Sequence, residues 1–202
     1  PVRLEARRAI RRPRAGQTEP GIPIIDDLRR AGRRAESEQI VRPVHIDVDG
    51  GGRSLIRVRD DGSGMSREDA VLALERHATS KLRSLADLEA ISTNGFRGEA
   101  LPSIASVSHL LLQTREEASA VGTQIEIEHG RLVGVRDAGH PRGTSVEARD
   151  LFGAIPARRK FLKADATETG HIAEAVTLLA LARPETGFFL KSAARTLVEC
   201  PP

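Results

Sequence analysis

Arg59-Asp60-Asp61-Gly62-Ser63-Gly64-Met65 breaks an alternating stretch, Ser54-Leu55-Ile56-Arg57-Val58-Arg59, with a carboxylate pair and two glycines. Alternation of apolar and polar residues marks a strand with one buried face, so Asp60 falls at a strand end. Upstream, Val44-His45-Ile46-Asp47-Val48 alternates in the same way, and Asp49-Gly50-Gly51-Gly52 joins the two runs as a hairpin. Downstream, Ser66 with Asp69 in capping-box spacing predicts a helix from Arg67 to His77.

Working outward, the spacing predicts a loop over 79–94 holding a short helix at 84–90, then a helix from Glu99 to Val107 with Pro102 in its first turn, where no intrahelical N–H is needed. Strands follow at His109–Arg115, Gly122–His129 (with Thr123, Ile125 and Ile127 inward), Arg131–Arg136 and Gly143–Ala148. Pro156 opens a helix from its first position. Thr167–Arg183 carries Ile172, Val176, Leu179 and Ala182 on one stripe, and Phe188-Phe189-Leu190-Lys191 begins another strand. Adjacent strands in meanders, with helices between groups of them, predict an α+β fold: a mixed, mostly antiparallel sheet covered by helices on one face.

Of 202 residues, 39% are hydrophobic and 29% charged, as in a soluble globular chain. Cys200 is the single cysteine, so no internal disulfide forms and a reducing compartment is expected. No apolar run is long enough for a membrane span, no secretory signal is present, and no His/Cys spacing suits zinc. A cytoplasmic protein without a membrane partner is the expectation. The pI of 9.6 invites a nucleic-acid reading. The charge is unevenly placed, however. Residues 1–43 hold 11 arginines and 6 acids, whereas the remainder holds 20 bases and 22 acids. With five Phe and no Trp or Tyr, the chain is poorly equipped to stack bases.

Five stretches carry chemistry, each with a blander alternative. A carboxylate at Asp60 can accept from an exocyclic amine of a purine, Gly62 and Gly64 let backbone approach a flat ring, and Met65 supplies a soft apolar wall; an ordinary turn has the same composition. Gly95-Phe96-Arg97-Gly98-Glu99-Ala100-Leu101 frames a helix start with glycines and a cation, which suits a phosphate or, more simply, a capped loop. Thr79, Ser80 and Lys81 offer two hydroxyls and an ammonium, or a surface helix end. Thr144 can hold a purine nitrogen directly or through water, or serve as a plain strand residue. Arg158-Arg159-Lys160 can touch nucleic-acid phosphates or be a solvated helix start. The usual phosphate loops, Gly-x-x-x-x-Gly-Lys and Gly-x-Gly-x-x-Gly, are absent.

Taken in order, these stretches resemble one family. Leu55 to Met65, Arg76-His77-Ala78-Thr79-Ser80-Lys81, Gly95 to Ile104, His140-Pro141-x-Gly143-Thr144 and Leu151-Phe152-x-x-x-Pro156-Ala157-Arg158-Arg159-Lys160-Phe161 are similar to the N-terminal ATPase domain of the MutL family of DNA mismatch-repair proteins. The Gly-Phe-Arg-Gly-Glu-Ala-Leu run distinguishes that family from its superfamily relatives. The resemblance spans Ile46 to about Lys191. It implies a Bergerat-type (GHKL) two-layer α/β sandwich that binds ATP with magnesium, closes as a homodimer on ATP, and works with DNA and a mismatch-recognition protein. It implies that Asp60, Gly62, Gly64 and Met65 hold adenine with Thr144 in support, and that Thr79, Ser80, Lys81, Gly95, Phe96, Arg97, Gly98, Glu99, Ala100 and Leu101 hold the phosphates.

The resemblance departs upstream of Val44. The family carries Glu-x-x-x-Asn there, the Glu activating water and the Asn binding magnesium. Ungapped alignment sets Ala31 and Ala35 at those positions, and Asn94 is the sole asparagine. Ala154 likewise stands where Leu-Phe-x-Asn-x-Pro has its Asn. The expectation is therefore three segments: 1–43, an Arg-rich stretch outside the family pattern; 44–186, the ATPase-like domain; and 187–202, the start of a truncated second domain. Two accounts of the first segment stay open, an out-of-frame reading of GC-rich DNA and a genuinely divergent or degenerate N-terminus; translating the other two frames upstream of Val44 tests the first. The expected function is ATP binding with impaired hydrolysis. The alternative is a degenerate, non-hydrolysing module that binds DNA or a partner through Arg158-Arg159-Lys160 and residues 1–43.

Overall fold

The structure is a computed structural model and describes residues 43–75 and 98–202. The short helix expected over 84–90 and the Arg-rich segment up to residue 42 lie outside the described residues.

Eight strands form one sheet: β1 (Val44–Asp49), β2 (Leu55–Asp60), β3 (His109–Arg115), β4 (Gly122–Glu128), β5 (Arg131–Ala138), β6 (Gly143–Arg149), β7 (Phe188–Ser192) and β8 (Arg195–Cys200). Their order across the sheet is β5-β4-β3-β6-β2-β1-β7-β8. Every neighbouring pair is antiparallel except β1 and β7, which run parallel. The hairpin of β1 and β2 turns through a short 3-10 segment, Gly50–Gly52.

Four helices complete the described residues: α1 (Arg67–Leu72), α2 (Ala100–Ala105), α3 (Pro156–Arg159) and α4 (Asp165–Ala182). Ser66 caps α1 as its sequence predicts, accepting from the Asp69 amide at 3.1 Å while its hydroxyl donates to the Asp69 carboxylate at 3.0 Å. That helix ends at Leu72, short of the expected His77. Pro102 lies in the first turn of α2 and Pro156 begins α3.

The period of two in the strands decides where the core sits. Val44, Ile46 and Val48 of β1, Val58 of β2, Leu110 and Leu112 of β3, Ile125 and Ile127 of β4, Val146 of β6, and Phe188 and Leu190 of β7 share one face and are buried. Ala70, Leu101, Ala105, Val176 and Leu179 of the helices join them. Burying a side chain such as Val176 or Leu190 contributes about 1.5–3 kcal/mol, so the helices are held to this face chiefly by apolar contact. Ala182, expected on the α4 stripe, is exposed, and Ala180 is buried instead.

The opposite face carries ion pairs among the described residues. Arg57 Nε lies 2.7 Å from Glu147, Arg149 reaches the other oxygen of Glu147 at 2.7 Å, and Arg59 lies 2.8 Å from Asp47. Burial alone pushes the Glu147 carboxyl up, but hydrogen bonds and charge from Arg57 and Arg149 outweigh it and hold the group below its ordinary value. Arg57 is raised in return, first by its hydrogen bond to Glu147.

Residues 187–202, expected to begin a further domain, supply β7 and β8 and extend this same sheet. The Val44 amide donates to the Gly187 carbonyl at 2.8 Å, which sets β7 alongside β1. Strand β8 has no counterpart among the expectations, because Arg195-Thr196-Leu197-Val198-Glu199 alternates only briefly before the prolines.

Candidate nucleotide site

The strand register gathers the candidate residues at one end of the sheet. Asp60 closes β2 opposite Thr144 of β6; Thr144 stands opposite Thr114 of β3; Thr114 stands opposite Thr123 of β4. These four lie on the same side of their strands as Val58, Val146, Leu112 and Ile125, so they point toward the helices. The apolar face therefore ends in a polar rim of one carboxylate and three hydroxyls. Thr114 and Thr144 are fully buried.

Thr114 ties the rim together. Its hydroxyl donates to the Gly143 carbonyl at 3.0 Å, and its oxygen accepts from the Met65 amide at 2.9 Å. A hydroxyl has one hydrogen and two lone pairs. With that hydrogen on Gly143, the Thr144 hydroxyl is the donor in the 3.1 Å contact between the two threonines. The Thr144 oxygen then faces anything beside it as an acceptor.

The turn after Asp60 is shaped by contacts that leave no room for side chains. Gly62 donates its amide to Asp60 Oδ1 at 2.7 Å, which sets the rotation of the carboxylate. Gly64 has φ +72°, and a Cβ there would lie 2.0 Å from the Arg115 carbonyl oxygen. Gly143 has φ +115°, and a Cβ there would lie 2.2 Å from the Asp60 carbonyl oxygen. Both glycines are required by dihedral and by space. Between Gly62 and Gly64, the Ser63 hydroxyl is shut off from solvent and meets no hydrogen-bond partner among the described residues. A polar cradle of this kind, with a buried hydroxyl to satisfy, fits a heteroaromatic ligand rather than an apolar one.

Two flanking loops, after β3 and before β6, hold the turn. Arg142 Nε donates to the Gly62 carbonyl at 3.2 Å, and its other nitrogen lies 2.7 Å from Glu117. Arg115 donates to the carbonyls of His140 at 2.7 Å and Ser119 at 2.8 Å. Burial pushes the His140 imidazole below its ordinary pKa; its hydrogen bond to the Pro141 carbonyl opposes this and the Arg115 charge adds to it. A cavity of about 300 Å³ opens beside the turn, with Met65, Ser66, Arg67, Glu68, Thr123 and Asp137 in its lining.

The structure thus gathers Asp60, Gly62, Gly64 and Thr144 at the same end of the sheet. Met65 and Leu101 are core residues, 4% and 3% exposed. Gly98, Glu99 and Ala100 stand at the head of α2, with Gly98 at φ +62°. Thr79, Ser80, Lys81, Gly95, Phe96 and Arg97 lie outside the described residues. Thr114, Arg115, Glu117 and Arg142 were not singled out from sequence. The signal for Thr114 is a threonine inside an otherwise apolar inward register; Arg115 at the end of β3, Glu117 and Arg142 are charges at the strand–loop boundary with no periodic signature.

The described residues hold no cluster of three or more His, Cys, Asp or Glu that could bind a metal ion, and no described helix is long and apolar enough to cross a membrane. Elsewhere on the surface, Arg159 lies 3.0 Å from Asp150, while Arg158, Lys160 and Phe161 are exposed.

No protein-family model matches the chain. Among curated proteins it is 59% identical over 155 residues to the DNA mismatch repair protein MutL of Anaeromyxobacter dehalogenans, covering 77% of this chain and 26% of that protein. It is 56% identical over 161 residues to the DNA mismatch repair protein MutL of Opitutus terrae, covering 78% of this chain and 26% of that one. The chain spans about a quarter of the length of these relatives. Among solved structures it is similar to the Aquifex aeolicus MutL ATPase domain complexed with ADP, with a TM-score of 0.62 and 32% identity, covering 91% of this chain and 64% of that one.

Proposed function

The chain belongs to the MutL family of DNA mismatch-repair proteins and has the α+β sandwich of its ATPase domain, and from this we propose that it binds ATP at the Asp60 rim as a nucleotide-driven switch in mismatch repair. The observation that carries the reading is the register of Asp60 against Thr144, with the Gly62 amide fixing the carboxylate. Asp60 accepts from the exocyclic amine of adenine, Thr144 accepts directly or from a bridging water, and Gly62 and Gly64 allow the ring to lie against backbone. The solved relative with bound ADP supports a nucleotide here. ATP, when bound, supplies the binding energy that closes the switch and a phosphoanhydride for hydrolysis.

Hydrolysis by this chain is weak in the proposal. Ala31 and Ala35 occupy the aligned positions of the family's water-activating Glu and magnesium-binding Asn. Loss of a positioned general base alone lowers such a step by about 10²–10⁴-fold. Thr79, Ser80, Lys81 and the stretch from Gly95 to Leu101 are assigned to the phosphates. The partners are DNA and a mismatch-recognition protein in the cytoplasm, with ATP-dependent homodimerisation of the complete protein.

The exposure of Arg158, Lys160 and Phe161 favours a second reading, a non-hydrolysing module that binds DNA or a partner. Calorimetric titration with a non-hydrolysable ATP analogue separates the two. Saturable binding that is lost in Asp60→Ala supports the first. Salt-sensitive DNA binding without nucleotide binding supports the second.

A further inference from the structure

We propose that Arg142 is a positioning residue for the adenine-reading turn, acting on the Asp60 carboxylate through Gly62 and braced by Glu117; the proposal rests on the nucleotide reading above. Arg142 makes two contacts from different nitrogens of its planar fork. Nε donates to the Gly62 carbonyl at 3.2 Å, and Nη1 lies 2.7 Å from Glu117 Oε2. The same glycine donates its amide to Asp60 Oδ1 at 2.7 Å. The guanidinium therefore restrains one side of a residue whose other side sets the carboxylate's rotation. Turning the Gly62 unit by a few tens of degrees would break that 2.7 Å bond and swing the carboxylate away from the ligand.

The bracing is a closed circuit through three loops. The residue after Arg142, Gly143, rests against the Asp60 carbonyl, and Gly64 rests against the Arg115 carbonyl. Arg115 in turn fastens the loop after β3 to the loop before β6 through Ser119 and His140. Glu117 lies on that same loop after β3, so the Arg142–Glu117 pair joins the two loops that flank the turn. Lysine is a single point charge on a flexible stem and cannot serve a carbonyl and a carboxylate in a fixed fork. Side-chain exposure of 32% for Arg142 and 75% for Glu117 places the clamp outside the apolar core. Its removal leaves the core intact.

The test begins on the free chain, by amide hydrogen exchange of residues 61–65 in wild type, Arg142→Gln, Arg142→Lys, Glu117→Gln and the Arg142→Gln/Glu117→Gln double variant. We expect exchange in that segment to rise about tenfold in Arg142→Gln, with β2 and β6 as protected as before. Glu117→Gln gives a smaller rise, the double variant no more than Arg142→Gln, and Arg142→Lys only partial recovery. Affinity for ADP and for adenosine should fall by the same factor, about three- to tenfold. Unchanged exchange overturns the proposal. So does full recovery in Arg142→Lys, which would mean charge suffices, or a loss confined to ADP, which would make Arg142 a phosphate contact. If the wild-type chain binds no adenine nucleotide, the functional reading fails, and the exchange result alone decides whether Arg142 orders the turn.

Discussion

Thr144 of β6 stands opposite Asp60 of β2 and within 3.1 Å of the Thr114 hydroxyl, so one threonine joins the candidate carboxylate to a fully buried polar group of the core. The three residues come from distant parts of the chain. What places them together is the order β3-β6-β2 in the sheet.

Thr114→Val tests the hub. The substitution keeps the shape but removes the acceptor for the Met65 amide and the donor for the Gly143 carbonyl. Each buried polar group left without a partner costs about 1–3 kcal/mol, so urea denaturation should show a loss of about 2–4 kcal/mol. Thr114→Ser keeps the oxygen and should lose about 1 kcal/mol, the value of a buried methyl.

Gly64→Ala should be more costly than its one added carbon suggests. The new Cβ meets the Arg115 backbone carbonyl at 2.0 Å, and the φ of +72° is strained for any other residue. Backbone rather than a movable side chain stands in the way, so a loss of about 3 kcal/mol or more is expected in thermal or urea unfolding. Gly134→Ala on β5, where nothing lies within 4 Å of the new Cβ, is the control and should change little.

The sheet's ion-paired face gives a pH signature. Glu147 has its carboxyl depressed on folding, so its contribution is fully present above the unfolded pKa and is lost as pH falls through the folded one. Glu147→Gln should destabilise the protein by about 1 kcal/mol at pH 7, because Arg149 loses its counter-charge and Arg57 keeps only Asp47 at 3.9 Å, with solvent screening part of the loss. The difference from wild type should shrink steadily as the pH drops below the ordinary glutamate range. A gap that stays constant down to pH 3 contradicts this.

Turnover tests the catalytic reading. Purified protein with ATP and magnesium should hydrolyse at a rate about 10²–10⁴-fold below an intact relative carrying the Glu-x-x-x-Asn pair. A rate equal to that relative's would show that the pair is supplied by other residues.

Much of this fold is written locally. Alternation in Val44–Val48, Leu55–Arg59, His109–Arg115 and Gly143–Ala148 marks strands because each has one wet and one dry face, and Ser66 with Asp69 marks a helix start because it satisfies end amides. The parallel pairing of β1 with β7 is not local. It depends on long-range contacts such as Val44 to Gly187, and so the last strands read as a separate unit. At the site, Asp60, Gly62 and Gly64 are legible because their chemistry is compressed into five residues. Thr114 and Arg142 are not, since their roles come from register and from loops meeting in space. The Ala31-x-x-x-Ala35 positions upstream of Val44 are legible only as a departure from a family pattern.

The central claim is that the Asp60 rim reads adenine. The most direct measurement is the affinity of the purified chain for ADP against GDP, each repeated on Asp60→Asn. Adenine presents an amine to the carboxylate, whereas guanine presents a carbonyl oxygen at the corresponding ring position. The account predicts saturable ADP binding at least about tenfold tighter than GDP, with the preference abolished in Asp60→Asn while the fold is retained. Equal affinities for ADP and GDP, or an undiminished preference in Asp60→Asn, would contradict it.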